Sequence, residues 1–239
     1  MADLPIIFSA PMVRAILREI EQPGTGKTQT RRVINPQPFA DGYYDGEVDC
    51  TPVPAQASNL AAFFRFGARA VGGDAVRTET WEPRYAIGDR LYVREHWRAW
   101  SQYDHKSPRD IPAGVDVQYV ADDPLSPWDS RFRQAMHMPR WASRLMLIVT
   151  DVRVQQLLDI SEEDARAEGF ADGPLGDPIP ETDIGGGWTL SSPGGYASAA
   201  GHFQVYWSKL HPDWDGFSSL WVAAYTFRPI LGNIDQVRP

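Results

Sequence analysis

Three residues in this sequence have the types needed for acyl transfer: Lys27, Thr30 and Glu168. A threonine hydroxyl is a weak nucleophile until a base removes its proton, and a lysine serves as that base when burial lowers its pKa toward neutrality. A glutamate in the same cleft can hold the lysine or return a proton to a departing amine. An offset of three residues puts side chains on opposite faces of a regular strand, so Lys27 must lie before the strand that carries Thr30. Each residue also has a plain structural reading: a solvated turn lysine, a generic strand residue, and a surface acid at a helix end.

Other residues could contact a substrate. Arg32, Arg94, Glu95 and Arg140 carry charge suited to a sugar or base, although paired surface charges are the commoner role of such residues. Trp141, flanked by Arg140 and Arg144, is the favoured stacking ring, with Trp97, Trp100 and Trp188 behind it. Most tryptophans nevertheless fill cores.

Several chemistries are excluded by pattern. Gly24-Thr25-Gly26-Lys27-Thr28 resembles a phosphate-binding loop only superficially, because the required earlier glycine falls on Glu21 and the strand-then-helix order is reversed. Histidines 96, 105, 137, 202 and 211 show no metal-ligand spacing, so no metal is expected, and no organic cofactor is implied. No Gly-x-Ser-x-Gly elbow occurs. The single cysteine, Cys50, rules out an internal disulfide and has no evident activating neighbour.

The 239 residues predict one domain, 1–239, with a hydrophobic fraction of 43% sufficient for a real core. A net charge of −8 argues against tight binding to long nucleic acid, although clustered arginines can reverse the sign locally. Without a spanning apolar stretch or a signal-peptide layout at the N-terminus, the expectation is a cytoplasmic protein with no membrane association.

The elements that must position these residues follow from periodicity. Leu4–Phe8 predicts a strand and Pro11–Glu21 an amphipathic helix ended by Pro23-Gly24; a β-branched run from Lys27 to Ile34 follows. Residues from 35 to about 82 have a weak pattern and suggest an insertion. Gly88-Asp89 turns into a strand over 90–97; residues 115–121 give another, and Leu145–Leu157 the longest. Ser161 caps a short helix to about Glu168, stopped by Gly169. The glycine- and proline-rich stretch 173–195 predicts a surface loop or lid, followed by a helix over 202–210 and a closing strand over 220–227.

Four separated blocks carry a family resemblance. Gly26-Lys27-Thr28-Gln29-Thr30-Arg31-Arg32 resembles the lysine- and threonine-bearing region of small ASCH-domain proteins, and Gly88-Asp89-Arg90-Leu91-Tyr92-Val93 their Gly-Asp followed by a strand. The stretch from Val149 through Ser161 to Glu168-Gly169 is similar to their strand-then-helix module, and Tyr225-Thr226-Phe227 to their closing strand. The resemblance implies a mainly β fold with flanking helices (α+β), a PUA-like β-barrel with a long insertion at about 36–82. Within that superfamily, compact N4-acetylcytidine amidohydrolases use a lysine, a threonine three residues later and a glutamate on a later helix, positions that fall on Lys27, Thr30 and Glu168. The implied function is removal of the acyl group from N4-acylated cytidines, with a small-molecule nucleoside as partner. Met138-Pro139-Arg140-Trp141-Ala142-Ser143-Arg144 looks more like the ASCH-type proteins of phages, most without an assigned activity. The rival readings are an RNA-binding module, with or without ribonuclease activity, and a non-catalytic phage accessory protein. Oligomeric state stays open.

Overall fold

The computed structural model describes residues 2–40, 44–53, 63–72, 75–122, 130–174, 179–183, 189–192, 196–212 and 220–237. These are mainly β with a few helices, and the described strands form open sheets rather than a closed barrel. The chain divides into two compact units, each assembled from separated segments.

The first unit comprises Met1–Thr28, Ile87–Asp151 and Thr226–Pro239. Strand β1 (Asp3–Ile7) opens the chain, and helix α1 (Ala10–Glu21) buries Val13, Ala15 and Ile16 on one stripe while its charged side chains face outward. Proline at the start of α1 fits, because the first turn has no intrahelical acceptor to lose. In the second unit, Gln29–Ala86 and Val152–Tyr225, the chain continues with β2 (Gln29–Val33) and then β3 (Tyr44–Val53), β4 (Phe63–Ala70) and β5 (Val76–Trp81). The last three form an antiparallel sheet in the order β3-β4-β5, so the weakly patterned 36–82 region contains a regular meander. Phe64, Phe66 and Ala68 alternate inward along β4.

Back in the first unit, β6 (Arg90–Arg94) pairs parallel with β1, setting Leu4 opposite Leu91 and Ile6 opposite Val93. A small ribbon, β7 (Trp97–Ala99) with β8 (Val117–Tyr119), covers a cluster of Trp97, Ala99, Ile111, Met138 and Ala142. The long strand β9 (Leu145–Gln156) carries residues of both units; its first part pairs antiparallel with β6 and buries Leu145, Met146 and Leu147. Each such side chain contributes about 1.5–3 kcal/mol on leaving water.

The second unit holds helix α2 (Glu162–Ala167), the two-residue strands β10 (Gly173–Pro174) and β13 (Tyr196–Ala197), the hairpin pair β11 (Ile179–Asp183) and β12 (Thr189–Ser192), and helix α3 (Ala199–Leu210). Ser161 caps α2 by accepting a hydrogen bond from the Asp164 N–H at 3.1 Å, and Gly169 stops it at a φ of 96°. The α3 helix starts three residues earlier than the pattern suggests, because Ser198 caps it through Gly201 N–H. Both helices pack on Leu157, Ile160, Phe203, Trp207 and Val222. The expected lid at 173–195 is partly paired strand; its residues 175–178, 184–188 and 193–195 lie outside the described residues, as do 41–43, 54–62 and 73–74 of the expected insertion. Strand β14 (Trp221–Leu231) also carries residues of both units, borders β9, and has β2 as its other neighbour. No helix among the described residues is long and apolar enough to cross a membrane.

Candidate functional site

Strand β2 departs from the alternation of a half-buried strand. Gln29, Thr30 and Arg31 are all buried, and only Arg32 and Val33 are exposed. Three consecutive buried polar residues need partners on both faces, because an unpaired buried polar group costs about 1–3 kcal/mol.

Helix α2 supplies them for Gln29 and Arg31. The Arg31 guanidinium, fully enclosed, donates through NH1 to Gln29 Oε1 at 2.6 Å and to Glu168 Oε1 at 3.1 Å, and through NH2 to Asp164 Oδ2 at 2.8 Å. Asp164 and Glu168 stand four residues apart, on one face of α2 and its last turn, so a single guanidinium reaches both. Phe203 of α3 places its ring 5.7 Å from the same guanidinium. Burial acts to raise the Asp164 carboxyl, but the Arg153 hydrogen bond and the charges of Arg31 and Arg153 outweigh it and hold the group below the ordinary carboxylate value.

The side chain of Arg32 is open to solvent, yet surrounding protein desolvates the guanidinium enough to lower its pKa, against the opposing influence of Tyr85, Glu168, Tyr206 and Tyr225. Tyr85 and Tyr225 meet edge-on with ring centres 5.1 Å apart. Burial raises both phenols, Tyr225 to about 12, so each stays a neutral hydrogen-bond donor near pH 7.

Thr30, Arg32 and Glu168 of the anticipated site therefore belong to the second unit. Thr30 is 4% exposed and Glu168 4%, so Glu168 is not the helix-end surface acid of the plain reading. Lys27 belongs to the first unit and is 1% exposed, with its ammonium 5.8 Å from the Phe8 ring and its backbone N–H donating to Ala15 O at 3.0 Å. It lies two residues before β2 begins.

Arg94, Glu95, Arg140 and Trp141, all in the first unit, are tied into its framework. Arg94 donates to Met136 O and to the Tyr92 hydroxyl. Glu95, 1% exposed, pairs with Arg144 through two hydrogen bonds of 2.9 and 3.1 Å; burial still raises its carboxyl above the ordinary value despite that partner. Arg140 is held by Asp3 and Asp235 at 2.6 Å each. Trp141 is half-buried and meets Trp97 edge-on at 6.4 Å. Trp100 is 47% exposed, and Trp188 lies outside the described residues.

The loop after α1 shows why its phosphate-like look misleads. Glu19 turns its own carboxylate into the loop, accepting from Gly24 N–H at 3.0 Å and from Gly26 N–H at 2.9 Å. A helix residue already occupies the anion position. Gly26 is required for a second reason: a Cβ there would strike Ala15 O and the Glu19 backbone nitrogen.

Sequence reasoning missed Arg31, Gln29, Asp164, Tyr85, Tyr206 and Tyr225. The signal for Arg31 was present in outline, since two adjacent arginines on a strand must face opposite sides and a strand with its neighbours covered buries one of them. Nothing local announced Tyr85. No group of histidine, cysteine and carboxylate side chains able to hold a metal occurs among the described residues.

The fold and site thus define a mainly β protein with a buried arginine–carboxylate network between a strand and a short helix. Compared with models of protein families, with curated proteins and with solved structures, the chain finds no match in any of the three.

Proposed function

We propose that the chain is an amidohydrolase of the ASCH, PUA-like type that removes the acyl group from N4-acylated cytidine. The observation that carries this reading is the burial of Lys27, Thr30 and Glu168, at 1%, 4% and 4% exposure, where solvated residues would be the ordinary expectation. Lysine and glutamate are almost never fully buried without a task or a partner. A neutral amine is the form of a lysine that can accept a proton from a threonine.

In this reading Thr30 Oγ1 attacks the acyl carbon while Lys27 takes its proton. The tetrahedral intermediate collapses, the C–N bond breaks, and the exocyclic amine of cytosine leaves with a proton relayed from Lys27, Glu168 assisting. Water then hydrolyses the Thr30 ester to release the carboxylic acid. Arg31 fixes the Glu168 carboxylate through Oε1, and Arg32 with the neutral phenols of Tyr85 and Tyr225 is suited to the polar edge of a nucleoside. The finer fold, a PUA-like barrel elaborated by the 36–82 segment, belongs to the same proposal. Intact-mass measurement after rapid quenching with N4-acetylcytidine tests it: an added acetyl group in wild type that is missing in Thr30→Ala supports threonine acylation, and its absence in both, despite turnover, removes Thr30 as nucleophile.

A further inference from the structure

In the first unit, residues 105–108, 131–134 and 137 line a cavity of about 660 Å³. Clefts for small ligands span roughly 300–1,000 Å³. Three permanent cations border this one: Lys106, Arg131 and Arg133. The acid beside them is Asp104, whose Oδ1 accepts from the Arg131 backbone N–H at 2.9 Å and lies 4.0 Å from the Arg133 guanidinium. Among the described residues, neither Lys106 nor Arg131 has a side-chain ion pair. On a chain of net charge −8, this is a local reversal of sign.

Arg133 is the inner cation. Its side chain is 3% exposed and braces the backbone by donating to Tyr103 O at 2.8 Å and Lys106 O at 3.2 Å, while its buried Nε has no hydrogen-bond partner. Burial, with Arg131 nearby, lowers its pKa against the pull of Asp104. At the same cavity Phe132 is 45% exposed. It is not loose: the His96 ring lies 5.0 Å from it and the Arg98 guanidinium 5.9 Å. A braced, exposed aromatic ring beside unpaired cations suits a ligand with an anionic end and a flat end.

We propose that this cavity binds a mononucleotide, with the phosphate on Lys106 and Arg131, the buried charge of Arg133 behind them, and the base on Phe132. Guanidinium forks match phosphate oxygens two at a time, which favours phosphate over a single carboxylate. Base stacking on an aromatic side chain supplies the second anchor. The bounded volume and the overall negative charge favour a mononucleotide over a long strand. The site is independent of the acyl-transfer reading.

Isothermal titration of the full chain at low salt with cytidine monophosphate, cytidine and inorganic phosphate tests this, and reads heat rather than turnover. The nucleotide should bind at least tenfold more tightly than either fragment. Phe132→Ala should reduce it to the level of inorganic phosphate, and the Lys106→Ala/Arg131→Ala pair should weaken nucleotide and phosphate alike by tenfold or more at unchanged melting temperature. Arg133 is left in place because it braces the 103–106 backbone. Nucleotide affinity no better than that of phosphate, or insensitive to the double substitution, overturns the proposal. A trinucleotide binding more than tenfold tighter than the monophosphate overturns the mononucleotide assignment in favour of a strand.

Discussion

Arg31 and Glu168 stand 137 positions apart in the chain and meet through a 3.1 Å hydrogen bond between guanidinium and carboxylate, in an environment that excludes solvent from both. Asp164 completes the arrangement, so one cation serves two acids on successive turns of a short helix. Removing the cation leaves both acids without it in a low-dielectric setting, and removing one side of a buried ion pair typically costs about 3–5 kcal/mol. Arg31→Met is therefore expected to lower unfolding free energy by roughly that amount in urea titration. The Arg31→Met/Glu168→Gln double variant should lose less than the sum of the two single losses; strict additivity would show that the pair is not coupled.

Two carboxylates give opposite pH dependences. The folded-state pKa of Asp164 is depressed, so its contribution to stability is present above the unfolded value of about 3.9 and is lost as pH falls through the lower folded value. The Glu95 pKa is raised by burial, so the folded chain holds that proton longer, and its contribution is full below about pH 4.3 and lost as pH rises through the folded value. Unfolding curves collected across the acid range should show a flatter acid limb for Asp164→Asn than for wild type. In Glu95→Gln the decline with rising pH above about 4.3 should disappear.

Much of the framework was legible because it rests on local chemistry. The Ser161 cap, the acids of the first turn and the Gly169 stop define α2 within seven or so residues of one another. The apolar run from Leu145 needed no partner to announce a strand. The β-branched run from Lys27 to Ile34 announced β2, which begins two residues later, at Gln29. The region from 36 to 82 resisted because its hydrophobic alternation is weak: β5 exposes Val76, Thr78 and Thr80 and turns Arg77, Glu79 and Trp81 the other way, and only Phe64, Phe66 and Ala68 on β4 mark an inward face. Arg31 resisted for a different reason. Its partners come from a distant segment, and nothing in the two adjacent arginines distinguishes the buried one from the exposed one until that segment is in place.

The loop between α1 and β2 should be intolerant of side chains at one position and dependent on one acid. Gly26→Ala forces the backbone of the turn away from Ala15 and Glu19, a clash of main chain against main chain that flexible side chains cannot absorb. A loss of about 1–3 kcal/mol or more is expected, in line with overpacking of a close contact. Glu19→Ala, which removes acceptors for Gly24 and Gly26, should cost about 1–2 kcal/mol. Thermal melting of the two variants checks both, and an unchanged melting temperature for Gly26→Ala would show that the turn can move freely.

Cys50 should be a sluggish thiol. Burial pushes its pKa up to about 11 from 9.0, which cuts the thiolate fraction near pH 8 about a hundredfold. The more basic thiolate is intrinsically a better nucleophile by roughly tenfold, leaving a net slowing of about tenfold. Reaction with a thiol-specific chromogenic reagent should be at least that much slower in the native chain than in urea. Equal rates would show that Cys50 is not desolvated.

The most direct measurement of the central claim is the ultraviolet absorbance of N4-acetylcytidine incubated with wild type and with Thr30→Ala, Lys27→Met and Glu168→Gln, each first shown to be folded by circular dichroism. The account predicts conversion to cytidine by wild type, loss of about 10⁴-fold or more in Thr30→Ala, and losses of about 10²–10⁴-fold in the other two. Wild type that leaves a panel of N4-acylcytidines untouched, or a folded Thr30→Ala that turns them over at the wild-type rate, would contradict it.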